Sequence, residues 1–186
     1  MQTTKTISDH ITTFSGVQFT PLTPNPTQLD IKDIAHSLSL MCRGNGHIIH
    51  FYSVLQHCVN CAHEAAARGL SARIQLACLL HDASEAYLSD ITRPVKRHLP
   101  KYVEIEDNLQ NVIYTHFLGS PLSAQEGATV KQIDDDMLVY EFKHLMKREV
   151  FDSQLALIST PNLAFTAFAD IESEFLKLFK AISCEI

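Results

Sequence analysis

The sequence has no tryptophan and only six glycines and seven prolines in 186 residues. A β-sandwich or barrel needs turn punctuation every ten residues or so, so this scarcity argues against both and favours helices. Basic residues are also few: fifteen Lys and Arg stand against twenty-one Asp and Glu, a formal charge of -6. Binding a long nucleic acid requires clustered cations that replace phosphate counterions, and this chain lacks that footprint. A small phosphorylated substrate stays open, because a metal ion can supply positive charge locally. Residues 1–16 lack the basic-then-apolar order of a secretory signal, and we expect no membrane-spanning helix. The expected setting is therefore the cytoplasm. Five cysteines, Cys42, Cys58, Cys61, Cys78 and Cys184, mostly sit in apolar helical patterns, so we expect them reduced.

What is present is an apolar content of 46%, enough for one sizeable core in a chain too short for two ordinary domains. We expect a single all-α domain over residues 30–186. Pro21, Pro24 and Pro26 interrupt residues 1–29, which read as an extended arm packed on that body.

Helix starts are well marked. Asp30 caps a run carrying Ile31, Ile34, Ala35 and Leu38, which Gly44-Asn45-Gly46 breaks. Ser53 with Gln56 and Ser123 with Glu126 have the capping-box spacing, and Ser71 precedes the broadly apolar run Ile74, Ala77, Cys78, Leu79 and Leu80. We expect that third helix to end with His81, Asp82 and Glu85. Pro94 and Pro100 bracket a loop before an amphipathic helix ending at Gly119. Phe165, Phe168, Ile171, Phe175 and Phe179 give the last helix its stripe.

A His-Asp dipeptide arises by chance roughly 0.6 times in a chain of this composition, so alone it carries little. Its context carries more. His81-Asp82 follows the apolar residues 77–80, where two groups with large desolvation costs need a partner or a cation. His57 lies on the preceding helix, and Asp134 shares a helical face with Leu138 and Glu141. Two imidazoles and two carboxylates, without thiolate, suit one divalent ion such as Co, Mn, Fe, Ni or Zn, with positions left for water and a phosphate oxygen. Glu85, four residues after His81, is placed to move a proton. Of Asp134, Asp135 and Asp136, at most one can point inward, and the other two are left to solvent.

These segments resemble the HD-domain phosphohydrolases, and within them the bacterial and prophage branch similar to 5'-deoxynucleotidases. The resemblance rests on residues 33–39, Cys42-Arg43, Gly46-His47, Phe51-Tyr52-Ser53-Val54, Gln56-His57, residues 80–87, Asp90 and Pro94-Val95-Lys96. A Lys-x-x-Asp segment, Lys131 to Asp134, completes it and identifies Asp134 as the last ligand. It covers residues 13–145. It implies a helical bundle of the HD type holding a divalent metal on His57, His81, Asp82 and Asp134. It further implies nucleoside monophosphates as substrates, Glu85 as catalytic carboxylate alongside Asp82, Arg43 as substrate arginine, Asp90 at the sugar hydroxyl and Lys96 at phosphate. Gly44 stands where the nucleotidases place a tryptophan, and His47 and His50 are additional imidazoles that line the substrate pocket or add a metal position.

Blander readings compete. His57, Cys58, Cys61 and His63 have the spacing of a structural zinc cluster, although such pairs usually sit on turns and these follow a helix cap. Glu85, Asp90, Arg93 and Lys96 also read as ordinary surface charges. Cleavage of a diester or pyrophosphate, and metal or nucleotide binding without turnover, are alternatives to monoester hydrolysis. The expected partner is a small-molecule nucleotide, with a homodimer allowed and no long nucleic acid or membrane.

Overall fold

Each helix start marked by Asp or Ser is capped. The computed structural model describes residues 9–146, 148 and 157–186. Asp30 accepts from the amide of Lys32 and opens α1 (Ile31–Leu40), Ser53 accepts from Gln56 and opens α2 (Val54–Ala67), and Ser71 accepts from Ile74 and opens α3 (Ala72–Leu79). Short helices α4 (Glu85–Leu88) and α5 (Arg93–Lys96) follow, then α6 (Pro100–Leu118). Ser123 and Glu126 form a complete capping box at α7 (Ala124–Leu145), and α8 (Phe168–Ser183) ends the chain. The fold is all-α. Beside these helices the described residues hold one small antiparallel sheet, β1 (Ile11–Thr12) paired with β2 (Gln18–Phe19). No helix among them is long and apolar enough to cross a membrane.

The central helix is α2, packed against α1, α3, α7 and α8. Its residues from Val54 to Ala65 are buried except His63, so polar members of that run must be satisfied from neighbouring elements. Gln56 does not complete a capping box. Its side chain instead donates to the carbonyls of Asn162 and Ala164, because the irregular segment before α8 lies along this face and its carbonyls need donors. Asn60 and Glu64, one and two turns further, hold the same segment at Asn162 and at the amides of Ile158 and Ser159.

Three further boundaries differ from expectation. The third helix stops at Leu79, and His81 and Asp82 occupy the turn beyond it. The cause is a side chain acting as cap: Nδ1 of His81 donates to the carbonyl of Cys78 at 2.7 Å, one of the acceptors every helix end leaves open. The stretch between Pro94 and Pro100 is not all loop, since Pro94 in the first turn of α5 suits a helix start. Phe165 precedes α8 and is exposed, while Ile171 and Phe175 carry the buried stripe. The described part of the arm turns back as the β1–β2 hairpin, with Phe19 buried and the backbone and hydroxyl of Ser15 both donating to Asp33; residues 1–8 lie outside the described residues.

Helix α1 ends at Leu40 with Met41 already extended, and Gly44 and Asn45, with positive φ of 58° and 51°, turn the chain back toward α2. A side chain at Gly44 would also meet the ring of Phe142 at 3.4 Å. This turn brings Arg43 inward, where it is buried.

Candidate metal centre

Three separate elements converge on one point. His57 comes from the first turn of α2 and is fully buried, His81 and Asp82 from the turn after α3, and Asp134 from the middle of α7. Nε2 of His57 lies 3.1 Å from Nε2 of His81 and 3.2 Å from Oδ1 of Asp134. Asp82 places Oδ1 at 3.4 Å from Nε2 of His81 and Oδ2 at 3.9 Å from Nε2 of His57, and Oδ1 of Asp134 is 3.7 Å from His81.

The protonation pattern of the two rings decides what this point can hold. Nδ1 of His57 donates to the buried carboxylate of Glu141 at 2.9 Å, and Nδ1 of His81 donates to the carbonyl of Cys78. With hydrogens fixed on both Nδ1 atoms, each neutral ring turns a lone pair toward the other at Nε2. Two facing lone pairs ringed by two carboxylates repel unless a proton or a metal cation stands among them. Ligands about 2.1 Å from an octahedral ion sit about 3 Å from one another, close to the shorter distances seen here. Neighbouring carboxylate and carbonyl groups that hold the Nδ1 hydrogens are the usual outer support of metal-binding histidines. The residues therefore fit a divalent metal.

Cysteines flank the point. The Sγ atom of Cys61 groups with His57 and His81, and that of Cys58 with His81 and Asp82. Cys61 Sγ is 3.6 Å from Nε2 of His57 and 3.9 Å from Nδ1 of the same ring. Near-equal distances to both nitrogens put the sulfur against the ring and away from the Nε2 lone-pair axis. Burial pushes both thiols up, which keeps them protonated. His63 is exposed beside Glu174, so a four-residue zinc cluster of His57, Cys58, Cys61 and His63 is not assembled.

Electrostatics follow from burial. For Asp134, burial disfavours the charged form, but the imidazoles of His57 and His81 override it and hold the carboxyl well below its ordinary range. For His81, burial works against the charge while Asp82 foremost holds its pKa well above the ordinary value. Glu85, the first residue of α4, is pushed far up by burial and by the charges of Asp82 and Asp90, and its Oε2 is buried without a hydrogen-bond partner. Asp90 is raised by burial, with Arg43 pulling against that shift. The guanidinium of Arg43 reaches Oδ2 of Asp82 at 3.1 Å and lies 3.7 Å from Oε2 of Glu141. Lys96 pairs with Glu106 at 2.7 Å and stands 4.0 Å from Glu85.

The structure thus brings together His57, His81, Asp82, Asp134, Arg43, Glu85, Asp90 and Lys96. The side chain of His47 is exposed beyond the Gly44 turn. His50 donates from Nε2 to the carbonyl of Leu163 at 2.8 Å, in the segment before α8. Asp136, expected at solvent, does not face it. It is buried, because Arg68 at the end of α2 pairs with it at 2.8 Å. Glu141, which shares a face of α7 with Asp134 through a seven-residue spacing, joins the centre through Nδ1 of His57. A groove of about 490 Å³ between α6 and α7 ends at His81, Asp82 and Asp134, with Asn111, Tyr114 and Lys131 among its walls.

Fold and centre together define an all-α protein with a buried His/Cys/Asp group able to hold a metal ion. The chain is 39% identical over 135 residues to the uncharacterized protein YfdR of Escherichia coli, a match that spans 73% of this chain and 71% of YfdR. An uncharacterized protein of Rhodobacter capsulatus is 38% identical over 127 residues, covering 64% of each chain. The chain belongs to the family of YfdR. No protein-family model matches it.

Proposed function

We propose that this protein is a metal-dependent phosphohydrolase of the HD-domain type, acting on nucleotides and releasing phosphate from (deoxy)nucleoside monophosphates. The observation that carries the reading is the convergence of two Nε2 lone pairs and two aspartates beside a buried carboxyl, Glu85, whose Oε2 has no partner. The resemblance of residues 80–87 and 131–134 to that family supports it. A divalent ion held by His57, His81, Asp82 and Asp134 supplies Lewis acidity toward phosphate and lowers the pKa of a nearby water.

The chain's own residues do the rest. Arg43, which is buried, and Lys96 place positive charge near a dianionic phosphate. Asp90 faces the same side and is suited to a sugar hydroxyl. In hydrolysis the water oxygen bonds to phosphorus, the ester P–O bond breaks, and the leaving alkoxide needs a proton. Glu85 is the donor: burial and two acidic neighbours raise its pKa, which favours the protonated form that a general acid needs. The proton lost by water restores it.

Phosphate release from a panel of nucleotides, measured on protein loaded with Mn2+ or Co2+, tests the reading. Release from nucleoside monophosphates supports it. Turnover of only diesters or pyrophosphates moves the assignment to those substrates, and bound metal with no turnover of any nucleotide favours a regulator.

A further inference from the structure

Arg93 lies on α5, the four-residue helix at the mouth of the centre, and faces α7. Its Nη2 takes Oδ2 of Asp134 at 2.6 Å, while Nη1 takes Oδ1 of Asp135. The other oxygen of Asp134, Oδ1, is the one turned to Nε2 of His57 and His81. The Asp134 carboxylate is therefore divided, one oxygen facing the centre and one facing a guanidinium. Asp135 is in turn gripped by Lys131 at 3.0 and 3.1 Å, so the arginine is anchored on the side away from the centre.

We propose that Arg93 is a positioning residue for the metal centre. It occupies Oδ2 of Asp134 so that Oδ1 is that carboxylate's single donor, and Asp135 holds Arg93 in this role. The inference rests on the reading of the four-residue cluster as a metal site. A carboxylate free to rotate can offer one oxygen or two, and two would consume a position that water or phosphate needs. A planar fork bonded to two carboxylates on successive residues of α7 fixes that rotation, which a point charge on a flexible stem does less well. Arg93 was open to the plain reading of a loop charge, but its fork bridges the half-buried ligand Asp134 and its neighbour Asp135.

The test is Mn2+ titration calorimetry, with the visible spectrum of the Co2+-loaded protein as a second readout that does not depend on turnover. Arg93→Ala is expected to weaken Mn2+ binding about 10- to 100-fold, the usual cost of losing a group that orients a ligand, and to change the Co2+ band shape and intensity. Arg93→Lys recovers part of the affinity, and Asp135→Asn shows a smaller loss in the same direction. Circular dichroism and melting confirm that each variant is folded. Wild-type affinity and an unchanged Co2+ spectrum in folded Arg93→Ala overturn the proposal. Failure of the wild-type chain to take up either ion removes the metal reading itself, and the two failures are distinguished by which protein shows them.

Discussion

Nε2 of His57 stands 3.1 Å from Nε2 of His81, and the Nδ1 atoms of both rings are occupied as donors. Two imidazoles so arranged have no hydrogen to share between them when neutral. Either a proton or a metal ion must supply the missing positive charge. This relationship gives the centre its chemistry, and the following outcomes depend on it.

Removing a ligand and removing the acid have different signatures. Asp82→Ala is expected to lose most bound metal and activity together. Glu85→Gln keeps the metal and lowers kcat by about two to four orders of magnitude, the usual share of general acid catalysis. Metal analysis alongside phosphate release checks this, and equal metal loss in both variants contradicts the assigned roles.

Metal affinity falls as pH falls. In the metal-free protein Asp82 foremost, against the cost of burial, holds the pKa of His81 well above its ordinary value, which favours a proton in the place of the ion. Metal binding must displace it, and proton release accompanies binding. Mn2+ titrations from pH 6 to 8 in buffers of different ionisation enthalpy are expected to show tighter binding with increasing pH and release of a proton on binding. Affinity independent of pH contradicts a protonated metal-free site.

Glu141 is buried beneath His57 and accepts from the hydroxyl of Tyr52 at 2.6 Å as well as from the ring. Glu141→Ala leaves both donors unpartnered in the core beside Arg43. A stability loss of about 3 kcal/mol is expected, the scale for breaking one side of a buried charged network. Mn2+ affinity should fall at least about tenfold, because His57 loses its fixed tautomer. Chemical denaturation and calorimetry measure the two effects separately. Unchanged Mn2+ affinity in a folded variant shows that Glu141 does not orient the ligand.

Acid should release the segment before α8. Glu64 accepts from the amides of Ile158 and Ser159, the hydroxyl of Ser159, and Arg68, and its pKa is lowered to about 2. Burial alone acts to raise it, and the donors outweigh burial. The folded value lies below the unfolded one, so this stabilisation is complete above the ordinary value of 4.5 and is lost as pH falls toward about 2. Glu64→Gln should flatten the acid side of a melting-temperature profile and lower stability at neutral pH. A profile with the wild-type acid slope rules this anchor out as its source.

Much of this was legible in the sequence, and what escaped did so for a physical reason. Caps at Asp30, Ser53, Ser71 and Ser123 are local, made by side chains bonding amides two or three residues on, so they were readable along the chain. Convergence of His57, His81, Asp82 and Asp134 was expected from burial and resemblance together. The turn at His81 was missed because its cause is the ring's bond back to Cys78, which helical periodicity does not encode. Burial of Asp136 depends on Arg68, and the task of Arg93 depends on α5 meeting α7. Pairings across distant elements leave no local pattern. The hydrophobic stripe of α8 was readable at Ile171 and Phe175, but the segment before it is placed by Gln56, Asn60 and Glu64, which a sequence shows only as polar residues in an apolar helix.

X-ray absorption of the Mn2+- or Co2+-loaded chain tests the centre most directly, because it reports the donor atoms themselves. The account predicts a first shell of nitrogen and oxygen at about 2.0 to 2.2 Å with outer-shell scattering from two imidazoles, and no sulfur. A sulfur scatterer at about 2.3 Å, or a single imidazole, would contradict ligation by His57, His81, Asp82 and Asp134.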